Sequence, residues 1–171
     1  DEASDVVVYD VEKHEIVTTG KLFSKEAFET FPTFSPDGKT LYFCTAGARP
    51  IPKEFSEIKY SLCSIAFDPD TRSFGSVVDT LYNANTAGQS VSFPRVSPDG
   101  KYLMYTVSGY GNFSIWHKDA DLYMADLSTG ESVPLDILNS DDVESYHSWS
   151  SNSRWVIFSS RRIDGLYTRP Y

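Results

Sequence analysis

The stretch SGYGNFSIWHKDAD, residues 108–121, gathers Tyr110, Phe113, Trp116, His117 and Asp119 between two glycines and an apolar run. Exposed aromatic rings on a loop can stack on a sugar ring or clasp a peptide. The same residues also suit a loop that folds back on Phe113 and Trp116 and leaves His117 in solvent. Tyr146-His147 follows Asp142 and Glu144, so a carboxylate–histidine contact to a ligand or metal is open there. Arg95 and the pair Arg161-Arg162 can receive an acidic ligand group or pair with carboxylates of this acidic chain, and structural pairing is favoured. The acidic run within residues 140–147 could attract a cation, but its spacing matches no EF-hand loop, and a solvated loop is the plainer account.

Other chemistries lack their motifs. There is no Gly-x-Ser-x-Gly elbow, phosphate-binding loop, dinucleotide fingerprint or His-Glu-x-x-His pair. A serine triad would need His14, His117 or His147 beside a serine and an aspartate, which only tertiary structure can arrange. Cys44 and Cys63 cannot form a metal cage alone, and no zinc-type spacing accompanies them. They could bond to each other in an oxidising compartment if their strands are neighbours in a favourable register. No metal site and no cofactor is expected.

The 171 residues suffice for one domain with a core, and 40% apolar with 15% aromatic residues is a globular composition. A net charge of -9 argues against nucleic acid or an anionic membrane as main partner, because both need a basic face. No apolar run is long enough to span a membrane, and no charged-then-apolar leader opens the chain.

The elements that must hold these residues repeat. FPTFSPDGKTLYFCT (31–45) and FPRVSPDGKYLMYTV (93–107) are followed by a worn copy, YHSWSSNSRWVIFSS (146–160), with Ser35, Ser97 and Ser150 in register. In that register Tyr146-His147 replaces Phe31-Pro32 and Phe93-Pro94. A second phrase alternates with the first: VVVYDVEKHE (6–15), LCSIAFDPDTRSF (62–74), LYMADLSTGES (122–132) and LYTRPY (166–171). Ser-Pro-Asp-Gly is hairpin-turn chemistry: Pro fixes φ, Asp bonds nearby backbone, and Gly tolerates positive φ. Because Ser151-Asn152-Ser153-Arg154 keeps only a small polar turn, Asp37 and Asp99 read as turn residues. The runs 41–44, 103–106 and 155–158 are apolar on both faces, which suits strands buried between two sheets. The best helical candidate is SKEAFETF (24–31), with Ser24 placed to cap and Ala27, Phe28 and Phe31 on one face, too short to stand alone.

The expected unit is a four-stranded antiparallel sheet: inner strand, Ser-Pro-Asp-Gly turn, buried second strand, long loop, third strand, short turn, fourth strand. Such sheets repeated in series read as β-propeller blades. The all-β chain then holds two complete blades, 31–82 and 93–138, flanked by half blades 1–22 and 146–171, in a single partial domain. The long loops 45–60, 107–120 and 159–165 and the links 22–32, 83–92 and 139–148 collect on one rim, where binding residues are expected.

The phrases FSPDGKTLYF, VSPDGKYLMYT with DLYMADLSTGE, and WSSNSRWVIFSSRR with DGLYTRP resemble the WD40-like (PD40) repeats of TolB-type β-propellers over nearly the whole chain. Such propellers have six or more blades, so this chain is expected to be a segment of a longer protein, or an array completed by self-association through open blade edges. The resemblance implies an exported bacterial protein, periplasmic or otherwise extracytoplasmic. It implies a non-catalytic binding or scaffold module that contacts a protein, peptide or glycan through the long-loop rim. The candidate binding residues are Tyr110, Phe113, Trp116, His117, Arg95, Tyr146, His147, Arg161 and Arg162. The alternative is the propeller part of a hydrolase or a polysaccharide lyase.

Overall fold

A computed structural model describes residues 3–51 and 53–171; Asp1 and Glu2, within span 1–22, and Pro52, within loop 45–60, lie outside the described residues. The strands form four antiparallel sheets in chain order. β1 (Val8–Asp10) and β2 (Glu15–Val17) make a hairpin. β3 (Ala27–Phe34), β4 (Thr40–Gly47), β5 (Ser61–Asp68) and β6 (Ser73–Tyr82) make a meander, and β7 (Ser90–Val96), β8 (Tyr102–Ser108), β9 (Asp121–Asp126) and β10 (Ser132–Pro134) repeat it. β11 (Glu144–Trp149), β12 (Val156–Ser160) and β13 (Arg169–Pro170) make a three-stranded sheet. One helical turn, α1 (Ala84–Ala87), lies in the link between the two complete sheets.

The turns explain why the chain reverses where it does. In the first, Ser35 Oγ donates to Asp37 Oδ1 at 2.6 Å and accepts from the Thr40 amide at 2.9 Å. Ser97 and Asp99 repeat this, and in the worn copy Asn152 takes the aspartate's place, accepting from Ser150 Oγ at 2.7 Å. The positive φ falls on Gly38 (71°), Gly100 (75°) and Ser153 (59°), so geometry and not charge is retained. At the turns between third and fourth strands, Asp10, Asp68 and Asp126 each accept two amides two and three residues on.

Consecutive residues of one strand feed two cores. Leu41 and Phe43 of β4 pack with Val6, Leu22 and Ile65 on the side of the first hairpin. Tyr42 and Cys44 face the other way, against Leu103, Tyr105 and Val107 of the next sheet. Each such fully buried side chain contributes about 1.5–3 kcal/mol, which is why β4 is apolar on both faces from Leu41 to Cys44. At the end sheet the pattern stops: Ile157, in register with Tyr42 (8% exposed) and Met104 (1%), is 53% exposed. On the first hairpin Val7 and Tyr9 are exposed while Val6 is buried.

One expectation is corrected, and the open pairing of the cysteines is decided. The helical candidate 24–31 is instead non-helical at 24–26 and the start of β3 from Ala27, paired from Ala27 with Gly47 through Thr30 with Cys44. Phe28 joins the inter-sheet core and Glu29 is buried, so ladder hydrogen bonds and burial override a short helical pattern. The cysteines are on neighbouring strands, but Cys63 pairs with Phe43 while Cys44 pairs with Leu62. Directly opposed residues share a face and adjacent ones alternate, so the two thiols enter different cores, and both are free and buried.

Candidate functional site

The loops joining β4 to β5 and β8 to β9 meet on one rim. Gly111 N donates to the Ile58 carbonyl at 2.7 Å, Asn112 Nδ2 donates to the Phe55 carbonyl at 3.1 Å, and the Phe55 and Tyr110 rings meet edge to face at 5.6 Å. Gly111 packs against the Tyr60 ring, where a Cβ would come within 2.2 Å of Cδ2, so only glycine allows this approach. At the loop base Gly109 N donates to Asp119 Oδ2 at 2.9 Å.

A 3-10 turn, Ser114–Trp116, carries the exposed aromatics. Phe113 precedes it with φ of 56° and is 68% exposed; Trp116 is 67% exposed. The loop therefore does not fold back over these two rings. Trp116 is nonetheless held: the Arg161 guanidinium sits 5.5 Å from its ring centroid and donates to its carbonyl at 3.4 Å. Arg161 is fixed by Asp142 at 3.1 Å, both nearly buried. A cation over an indole face contributes about 0.5–2 kcal/mol.

His117 does not face solvent. It is buried against Tyr110, with ring centroids 3.9 Å apart, and neither ring nitrogen has a hydrogen-bond partner among the described residues. Burial holds its pKa below the ordinary value, against the opposing pull of Asp119. Arg162 is drawn inward: its Nη2 reaches Glu144 Oε1 at 3.0 Å and the Leu138 carbonyl, and its guanidinium lies 4.6 Å from the Tyr171 ring centroid. Glu144 is fully buried and also accepts from Ser140 Oγ at 2.6 Å and Ser160 Oγ at 2.7 Å. Asp142 and Glu144 of the acidic run 140–147 are thus each taken up by an arginine, while Asp141 is exposed. Among the described residues no three His, Cys, Asp or Glu side chains converge to hold a metal ion.

The remaining candidates sit apart, on the first strands of the sheets. Arg95 is exposed and donates to the Pro94 carbonyl at 3.0 Å. His147 is 3% exposed, with Nε2 at 3.1 Å from the Met104 carbonyl, and burial pushes its pKa down to about 4. Tyr146 belongs to a feature that motif reading missed. Phe31, Phe93 and Tyr146 occupy the same bulge in β3, β7 and β11, with φ of 51°, 53° and 49°. Their rings touch in series, with centroids 4.5 and 4.7 Å apart. The signal was present as an aromatic four residues before each turn serine. Left-handed backbone at a non-glycine residue costs about 1–2 kcal/mol, and the ring contacts offset part of it.

No protein-family model and no curated protein sequence matches the chain. Its fold matches solved structures. A putative TolB from Agrobacterium tumefaciens aligns at 18% identity and a TM-score of 0.54, covering 86% of this chain and 46% of the other. An oligogalacturonate lyase in complex with manganese aligns at 13% and 0.52, covering 96% and 39%. Hydrazine synthase of Kuenenia stuttgartiensis aligns at 16% and 0.51, covering 92% and 44%. The chain therefore spans less than half the length of each structure that it matches here. With blade-like sheets in series and inner strands side by side, it has the fold of a partial β-propeller of the TolB type.

Proposed function

We propose that this chain is a non-catalytic binding module, the propeller segment of a periplasmic or otherwise extracytoplasmic protein, and that it contacts a protein, peptide or glycan through the long-loop rim. The observation that supports this reading is Trp116: two-thirds exposed, yet clamped by Arg161 and Asp142 on a loop locked to its neighbour. A pre-positioned exposed indole binds without the entropy cost of ordering a loose loop. No helix among the described residues is long and apolar enough to cross a membrane. The apolar outer faces at Ile157 and at Val7 and Tyr9 are where further blades pack in this reading.

Wild type and Trp116→Ala should be compared on peptide and glycan arrays, with circular dichroism confirming the fold. Trp116→Ala is expected to weaken binding about 30-fold, as for a central aromatic anchor. Undiminished binding by the variant would move the contact surface off the rim. The second reading, the propeller part of a hydrolase or polysaccharide lyase, draws on the fold likeness to the manganese-bound oligogalacturonate lyase. It gains support if Mn²⁺ binds stoichiometrically and His147→Ala abolishes that binding.

A further inference from the structure

The sheets β3–β6 and β7–β10 leave between their outer strands a cleft of about 420 Å³, within the range of small-ligand sites. It is lined by β5, β6, β9 and the turn into β10, floored by Tyr42 of β4 and Tyr105 of β8, and lies away from the loops that carry Trp116. Leu62 and Tyr105 are buried in it, while Leu81 and Leu127 are more open. Asp79 and Asp126 also line it, and no lysine or arginine does.

Both carboxylates lack a cation: among the described residues neither forms an ion pair. Asp126 Oδ1 is engaged by Ser128 and Thr129 of its turn, bonds that hold its pKa below the ordinary value and keep it ionised at neutral pH. Its Oδ2 accepts no hydrogen bond in the described residues. Leucines beside unpaired carboxylates and tyrosine rings suit a group with an aliphatic stem and a cationic head.

We propose that this cleft binds a lysine or arginine side chain of a partner peptide, with its stem against Leu81 and Leu127 and its head toward Asp79 and Asp126. This is a second contact surface and does not depend on the rim being one. The test titrates N-acetyl-arginine amide and N-acetyl-lysine amide, with neutral N-acetyl-norleucine amide as control, into the full chain while amide NMR shifts are followed. Saturable shifts at Leu81, Leu127 and Gly130 are expected with the cationic probes only. Asp79→Asn with Asp126→Asn should weaken binding about five-fold or more, because asparagine keeps the turn and loses the charge. Trp116→Ala should leave the titration unchanged, so failure here and failure of the rim reading are separable. No saturable shift at the cleft, equal response to the neutral probe, or unchanged affinity in the double variant would each overturn the proposal.

Discussion

Replacing Glu29 by glutamine should raise stability progressively as pH climbs from 4.5 to 7, and the gain should level off above that. Glu29 lies in β3 opposite Thr45, as Glu144 lies in β11 opposite Ser160. Glu144 accepts from Arg162 and two serine hydroxyls. Glu29 is 4% exposed, and its Oε2 has no partner among the described residues. Burial, with Asp5 adding like charge, pushes its pKa from 4.5 up to about 7. The folded state therefore keeps a proton that the unfolded chain releases. Stability from this group is complete below pH 4.5 and lost as pH rises through 7. At about 1.4 kcal/mol per pH unit the loss is about 3 kcal/mol. His147 acts oppositely: its pKa is lowered from 6.5 to about 4, so its contribution is present above pH 6.5 and lost as pH falls through 4. That contribution cancels in the difference between wild type and Glu29→Gln, which is the quantity to measure by urea unfolding at pH 4.5, 6 and 8. The glutamine variant should gain about 3 kcal/mol on wild type between the extremes, or roughly 6–12 °C in Tm. An equal gap at pH 4.5 and pH 8 would refute the argument.

Two further outcomes follow from the buried groups. Arg162→Met should cost about 3–5 kcal/mol by leaving the Glu144 carboxylate buried without its cation, and adding Glu144→Leu should restore most of it; a loss under about 1 kcal/mol in urea melts would contradict the assigned pairing. Cys44 and Cys63 should stay unreacted with a thiol reagent until the chain unfolds, because burial raises both pKa values, Cys44 well above the ordinary one. A crosslink between them under mild oxidation would contradict their placement on opposite sheet faces.

By itself the sequence determined what depends on a few adjacent residues. Ser-Pro-Asp-Gly and its worn copy mark reversals whose hydrogen bonds close within five residues, so the turns at 35, 97 and 150 were legible without any partner. The apolar runs at 41–44 and 103–106 announced strands covered on both sides, and their recurrence announced blades. The long aromatic loop was legible as a loop. Tertiary structure decided the rest, because it depends on register and on groups distant along the chain. Residues 24–31 carry a helical pattern, yet β4 offers Phe28 and Glu29 a ladder that a lone turn of helix cannot match. A one-residue offset in the β4–β5 register sends Cys44 and Cys63 into separate cores. Arg161 and Arg162 are adjacent in sequence, but one clamps Trp116 and the other pairs with Glu144, a division made by partners 18 to 45 residues away along the chain. The series of Phe31, Phe93 and Tyr146 exists only because three equivalent bulges, some sixty residues apart in the first two, are brought within ring contact by sheets packing face to face.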